Sequence, residues 1–134
     1  MDNKQRSEML LKVAEESLAE AEFSFKRSSW PLVVRRCQEA VELELSAVLA
    51  LAGIHYPKNH DQAPLLLGVL RANNINLNGK ESELELISVD LSRKRGPALH
   101  QEEGYDEDTA SKALVDTKFV FEVMNEVMNK LREK

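Results

Sequence analysis

The sequence predicts an all-α fold, an up-and-down antiparallel bundle of about five helices. Three observations predict it. Apolar residues recur at three- and four-residue intervals through several long segments, which is the period of an α-helix. Leu, Ala, Glu and Lys outnumber aromatic and β-branched residues, and aromatic residues make up 5% of the chain. Only five Gly and four Pro interrupt the 134 residues, a length that fits a single domain.

The first two predicted helices cover about residues 4–27 and 30–52. The first carries one apolar stripe (Leu10, Ala14, Leu18, Ala21 and Phe25). The second follows Ser29, an N-cap candidate, holds Pro31 in its first turn and ends before Gly53. Its apolar residues occupy more than one side, so it is expected to lie at the centre of the bundle.

Three further helices are predicted over about residues 62–73, 81–93 and 108–132. The short third helix carries Leu65, Leu66, Val69 and Leu70, and the fourth carries Leu84, Ile87 and Leu91. The last begins at Asp108 or Thr109 and has a Met-containing core stripe. Gly96 and Pro97 predict that the fourth helix is broken there, since glycine is costly in a helix and proline removes a donor.

Charge and cysteine content limit the function and the location. The net charge of −5 argues against a general polyanion binder, so contact with nucleic acid would need a local basic patch. Cys37 is the single cysteine, which excludes an intrachain disulfide, favours a reducing compartment and is expected to be buried and inert. With no apolar run long enough for a membrane span, we expect a cytoplasmic protein.

The histidines do not predict a metal site. His55, His60 and the distant Cys37 lack the spacing of a zinc-ligand set. His60 and Asp61 stand before the third helix, where they are expected to cap it and to dock the preceding loop.

The segment from Arg93 to His100 carries the strongest chemical signal. Its three adjacent cations precede the Gly96-Pro97 pair, and His100 follows Arg95 by five positions. Positions five apart on an unbroken helix point about 140° away from each other, but a kink would swing them together. Arginine beside histidine is a plausible phosphodiester-cleaving pair. The alternative is a solvated basic helix end, with the cations over the C-terminal dipole.

Several of these features together resemble the HEPN domains of prokaryotes. The resemblance covers nearly the whole chain and rests on Ala40-Val41-Glu42, Gly53, the Pro57 to His60 turn and Tyr105 ahead of the last helix. Its most specific part is the Arg-x4-His motif, here Arg95 and His100. Active members of that family are dimeric, metal-independent endoribonucleases without cofactors. They are often toxins paired with a minimal nucleotidyltransferase antitoxin.

The resemblance implies roles for five residues. His100 would help to deprotonate an RNA 2′-hydroxyl or to protonate the leaving oxygen, while Arg95 would stabilise the pentavalent phosphate. Arg93 and Lys94 would add phosphate attraction. Tyr105 would contribute to substrate binding; one branch of the family has a tyrosine, modified by the partner, two residues after the histidine, whereas Tyr105 comes five after.

The chain also departs from the family pattern. Gly96 stands where a polar residue commonly follows the arginine, and acidic residues crowd the segment after His100. A non-catalytic, nucleotide-binding partner subunit of a minimal nucleotidyltransferase is therefore the second hypothesis. A helical bundle with an unrelated interaction role is the third.

Overall fold

A computed structural model shows a bundle of five helices in the part of the chain that it describes. It describes residues 1–55, 60–98 and 104–134, together with the helical backbone of residues 99 and 100. The helices are α1 (Asn3–Lys26), α2 (Trp30–Leu51), α3 (Ala63–Ala72), α4 (Lys80–His100) and α5 (Glu107–Arg132). The predicted all-α fold is confirmed. Within the described ranges, no helix has the length and apolar character needed to cross a membrane.

The N-terminus of α1 is fixed by a capping box. The Asp2 carboxylate accepts from the Gln5 backbone N–H at 2.7 Å, and the Gln5 side chain accepts from the Asp2 N–H at 3.0 Å. Two of the donors that every helix start leaves unpaired are thereby satisfied. Ser29 is the N-cap residue of α2, as predicted, but its side chain makes no capping hydrogen bond; Pro31 lies in the first turn of the helix, as expected.

Helix α2 is the centre of the bundle, as its apolar pattern predicted. It contacts all four other helices, most extensively α1. Leu45, Val48 and Leu49 are fully buried along it. Each such side chain contributes about 1.5–3 kcal/mol when it leaves water. The other helices therefore pack around the apolar side chains of α2.

Contacts along the helices establish antiparallel neighbours. The Ser7 hydroxyl donates to the Ala47 carbonyl at 2.8 Å, while Arg36 pairs with Glu20 at 2.9 Å. The start of α1 therefore lies beside the end of α2. At the other side of the bundle, Lys80 at the start of α4 lies 3.3 Å from Glu126 near the end of α5.

Helix α2 ends at a glycine in the left-handed region. Gly53 has φ +75°, its N–H donates to Ala50 O at 3.0 Å, and the Ile54 N–H donates to Leu49 O at 2.9 Å. This pattern closes the last turn and satisfies carbonyls that the helix end would leave free. The predicted glycine cap is present.

Helix α4 is the one element whose predicted end is wrong. The expected break at Gly96 and Pro97 is absent, and the helix continues to His100. Pro97 removes one hydrogen bond, from its own position to the carbonyl four residues earlier. Ala98 lies in the core with 5% of its surface exposed, as does Leu91 with 1%. The two residues are seven positions apart and share one face of α4, so continuation of the helix through Gly96 and Pro97 keeps Ala98 in the core.

Cys37 is buried, as predicted. Burial raises the pKa of its thiol to about 11, and the negative charges of Asp116 and Glu22 act in the same direction, whereas a hydrogen bond with Thr117 opposes them. The thiol stays protonated near neutral pH and is a poor nucleophile.

A second buried group, Glu44, lies on α2. The side chain is 4% exposed, and its Oε2 has no hydrogen-bond partner among the described residues. Burial, and to a lesser degree the charge of Glu15, raises the pKa of Glu44 to about 8. The carboxyl group is therefore mainly neutral in the folded protein at pH 7, and ionised in the unfolded chain.

Core packing of α4 predicts a sharp contrast between two leucines in one turn. Leu84 is fully buried, whereas Leu86 is 70% exposed. Leu84→Ala should lower the free energy of unfolding by about 2–5 kcal/mol, because it leaves a cavity. Leu86→Ala should change it by less than about 0.5 kcal/mol. Urea unfolding followed by circular dichroism measures both values, and equal losses would contradict this placement of the helix.

Burial of Glu44 predicts a pH-dependent contribution to stability. The folded protein holds a proton at Glu44 that the unfolded chain releases, so this contribution is complete below about pH 4.5 and is lost as pH rises through about 8. The free energy of unfolding of Glu44→Gln, relative to that of wild type, should rise by a few kcal/mol between pH 5 and pH 8. The slope of this difference should be at most about 1.4 kcal/mol per pH unit. Unfolding curves for both proteins across this range test it. Parallel pH profiles would contradict it.

Candidate functional site

Arg95 lines an open groove of about 510 Å³, which we call the Arg95 groove. Its lining residues come from α1, α2, the segment before α3, and α4. Leu10, Val13 and Leu43 are its large apolar lining residues, and His60, Glu42 and Arg95 are among its polar ones. The remaining lining residues are Ser17, Glu39, Ser46 and Gln62. A pocket with an apolar wall and a few convergent polar groups is typical of ligand sites.

One face of α4 positions both Arg95 and the segment that carries His60. Ser88, Ser92 and Arg95 stand at i, i+4 and i+7, within about 60° of one another around the helix. The Ser88 hydroxyl donates to Asp61 Oδ1 at 2.6 Å. The Ser92 hydroxyl lies 2.7 Å from the His60 carbonyl, and equally close to the Ser88 carbonyl. The segment is thereby docked onto the same stripe that continues to Arg95.

Asp61 has the capping and docking roles that the sequence predicted for this segment. Besides its bond with Ser88, Asp61 Oδ1 accepts from the Ala63 N–H at 3.2 Å in the first turn of α3. His60 contributes its backbone carbonyl to the docking, and its ring lines the groove instead of capping the helix.

The ring of His60 is oriented by Glu42. Its Nδ1 lies 3.2 Å from Oε2 and 3.3 Å from Oε1 of that carboxylate. Gln38, which is 1% exposed, donates to Glu42 Oε2 at 3.0 Å and holds the carboxylate in turn. Because a carboxylate only accepts hydrogen bonds, this contact places a proton on Nδ1. The other ring nitrogen, Nε2, is the one left to react.

Arg95 differs from the other cations of its segment. It is partly buried, and it forms no ion pair with the described residues. Lys94 is paired with Asp90 at 2.9 Å. Arg93 is exposed and lines a second groove, of about 440 Å³, together with Lys112 and Asp116. The three adjacent cations therefore do not converge on one point.

Two of the other residues singled out in the sequence lie at the end of α4. His100 is the last residue of the helix, and its side chain is outside the described residues. Tyr105 is partly buried against the core, and its hydroxyl donates to the Lys94 carbonyl at 3.3 Å. That contact ties the start of the α5 region to α4. Glu102 and Glu103, expected near the site, also lie outside the described residues.

No group of three or more His, Cys, Asp or Glu side chains is placed to hold a metal ion within ranges 1–55, 60–98 and 104–134. Sequence reasoning missed the contact between His60 and Glu42. The spacing of Ser88, Ser92 and Arg95 on one helix face was a usable signal for a docked loop. The partner of His60 could not be predicted from the sequence, because Glu42 lies on α2, 18 positions earlier in the chain.

Comparisons with known proteins agree with this architecture. The family model described as the HEPN domain matches residues 7–127 of the chain. The crystal structure of an archaeal HEPN homologue is similar, with a TM-score of 0.66 and 18% sequence identity over 93% of this chain and 97% of that one. At this identity the likeness concerns the fold alone. No curated protein sequence matches the chain.

The docking of residues 60 and 61 onto α4 predicts a local loss of protection when it is broken. Ser88→Ala removes the short bond to Asp61 and should lower the free energy of unfolding by about 1.5–3 kcal/mol, because one partner is charged. Amide exchange at the start of α3 should accelerate in the same variant. Ser82→Ala, at an exposed position of α4, is the matched control and should change neither. Hydrogen exchange by NMR reads out both effects.

Proposed function

Because the chain belongs to the HEPN domain family, we propose that it is a metal-independent endoribonuclease. One observation carries the proposal: Arg95 is partly buried, faces an open groove and forms no ion pair with the described residues. A guanidinium held without a carboxylate partner is available for a phosphate, which it can grip with two parallel hydrogen bonds. The family motif pairs this arginine with His100.

The proposed reaction is an internal transesterification of RNA. The 2′-oxygen forms a bond to phosphorus while the bond from phosphorus to the 5′-oxygen breaks. The products are a 2′,3′-cyclic phosphate and a 5′-hydroxyl. Arg95 stabilises the charge that develops on the pentavalent phosphate, and His100 takes part in proton transfer. The step needs no metal ion and no cofactor.

The assembly proposed for this reaction is a homodimer in the cytoplasm. HEPN domains typically dimerise. Each chain supplies one Arg95 and one His100, and a twofold axis doubles both. Arg93 and Lys94 attract the RNA backbone from outside the groove, while Tyr105 bounds the substrate-binding region at the end of α4. A minimal nucleotidyltransferase is the proposed antitoxin partner.

A second function is favoured by the arrangement of charge. Arg93 and Arg95 line different grooves, Lys94 is already paired with Asp90, and Gly96 follows Arg95. Among the described residues, the cations of this segment therefore do not form one basic patch. Such a surface suits a non-catalytic subunit that binds a nucleotide and presents it to a nucleotidyltransferase.

Cleavage of single-stranded RNA in EDTA is the primary test. Wild-type protein should release fragments with cyclic-phosphate ends. Arg95→Ala and His100→Ala should each lower the rate by about 10²-fold or more, because a phosphate-stabilising donor or a proton-transfer group is lost. Arg71→Ala changes an exposed arginine on α3 and serves as the matched control.

The outcomes separate the two functions. Loss of cleavage in Arg95→Ala and His100→Ala, with Arg71→Ala active, supports the nuclease. Equal cleavage by all four proteins would indicate a contaminating ribonuclease. If wild-type protein leaves the RNA intact but co-purifies with a nucleotidyltransferase in an Arg95-dependent manner, the partner-subunit function replaces the first.

A further inference from the structure

We infer that His60, oriented by Glu42, is the general base of the site that contains Arg95. The inference deepens the proposed ribonuclease function and rests on it. It assigns the removal of the 2′-hydroxyl proton to a residue outside the Arg-x4-His motif. His100 is then left to protonate the leaving 5′-oxygen, so the two proton transfers have separate residues.

The fold brings His60 and Arg95 to the same groove. The segment that carries His60 is docked onto the face of α4 that Arg95 shares with Ser88 and Ser92. A substrate phosphate held by Arg95 would therefore occupy the groove that the imidazole also lines. The ring is about half exposed, 52% of its side chain, so a ligand can reach it.

Glu42 orients the His60 ring. Glu42 lies 3.2 Å from Nδ1 and is 24% exposed, and the buried amide of Gln38 restrains it. This arrangement fixes the tautomer with Nδ1 protonated and Nε2 carrying a lone pair. A carboxylate that holds one imidazole nitrogen and thereby prepares the other as a base is a recurrent device in hydrolytic sites.

The charges that face His60 come from three elements. Helix α2 contributes Glu42 and Glu39, the segment before α3 contributes the adjacent Asp61, and α4 contributes Arg95. The residues that α1 adds to the groove are uncharged. Glu39 is itself neutralised by Arg35 at 3.3 Å and by Arg36 at 2.8 Å. Glu42 is therefore the carboxylate that acts directly on the ring.

One proton is removed from the RNA and one is returned to it in each turnover. Nε2 of His60 takes the proton of the 2′-hydroxyl as the new bond from oxygen to phosphorus forms. His100, protonated, donates to the 5′-oxygen as its bond to phosphorus breaks. The two histidines end in exchanged protonation states, and proton exchange with water restores them. Arg95 keeps its charge throughout.

A substrate with a bridging 5′-sulfur distinguishes the base from the acid. Sulfur leaves as a thiolate without being protonated, since a thiol has a pKa of about 8.5, far below that of an alcohol. We expect His100→Ala to lose activity on ordinary RNA and to recover most of it on the 5′-thio substrate. We expect His60→Ala to lose about 10²–10⁴-fold on both substrates, because the base is needed for either leaving group.

Two further variants isolate the role of the ring. His55→Ala changes an exposed histidine in the same connection between α2 and α3, and should leave activity unchanged. Glu42→Gln keeps the shape but removes the carboxylate that accepts from Nδ1–H, so activity should fall by about 10-fold or more and the ring should no longer be held in the Nδ1–H tautomer. The docking bond to His60 uses its backbone carbonyl, so His60→Ala retains it. Circular dichroism confirms folding.

Failure of this inference is separable from failure of the proposed function. If wild-type protein cleaves RNA and depends on His100, while His60→Ala retains activity within about threefold on both substrates, His60 is not the base. Recovery of His60→Ala on the thio substrate would instead make it the acid. If wild-type protein cleaves nothing, both proposals fall.

A structural readout tests the same assignment independently of the rate measurements. Nitrogen NMR of the histidine rings should show His60 as the Nδ1–H tautomer, and a 2′-O-methyl oligoribonucleotide should shift its Nε2 signal. The opposite tautomer, or a ring unaffected by a bound oligonucleotide, would overturn the assignment.

Discussion

Burial of most of α2 is the constraint on which the rest of this structure depends. The helix contacts the four other helices, and its side chains Leu45, Val48 and Leu49 are removed from water completely. The neighbouring helices must cover these apolar side chains, so their positions are set by packing against α2. Glu42 belongs to the same helix, and the rigidity of the core therefore extends to the carboxylate that holds His60.

Three elements of the bundle contribute side chains to the candidate site. Helix α4 supplies Arg95, α2 supplies Glu42, and the segment before α3 supplies His60. The hydroxyls of Ser88 and Ser92 on α4 hold the segment before α3 in position through Asp61 and the His60 carbonyl. Neither serine has to contact a ligand to do so. Orientation of this kind matters because a misplacement of about 1 Å in a reacting group can cost about 10²-fold in rate.

Charge pairing decides which cations are available. Most described basic side chains near the site are engaged: Arg35 and Arg36 with Glu39, and Lys94 with Asp90. Exposed pairs of this kind contribute little to stability, about 0–1 kcal/mol each, but they reduce the charge offered to a polyanion. Arg95 stands out against that background in a chain whose net charge is −5.

The sequence by itself determined the class of fold and most helix boundaries. Apolar periodicity and caps are local signals, so α1, expected over about 4–27, occupies Asn3–Lys26, and Gly53 ends α2 as its conformational freedom predicts. The Arg-x4-His motif also predicted Arg95 as a site residue. Only the tertiary structure showed that α4 runs through Gly96 and Pro97, because Ala98 beyond them packs into the core, a contact that the local sequence does not specify. It alone brought His60 to Glu42, because that contact joins separate elements whose meeting is set by packing around α2 and not by any spacing along the chain.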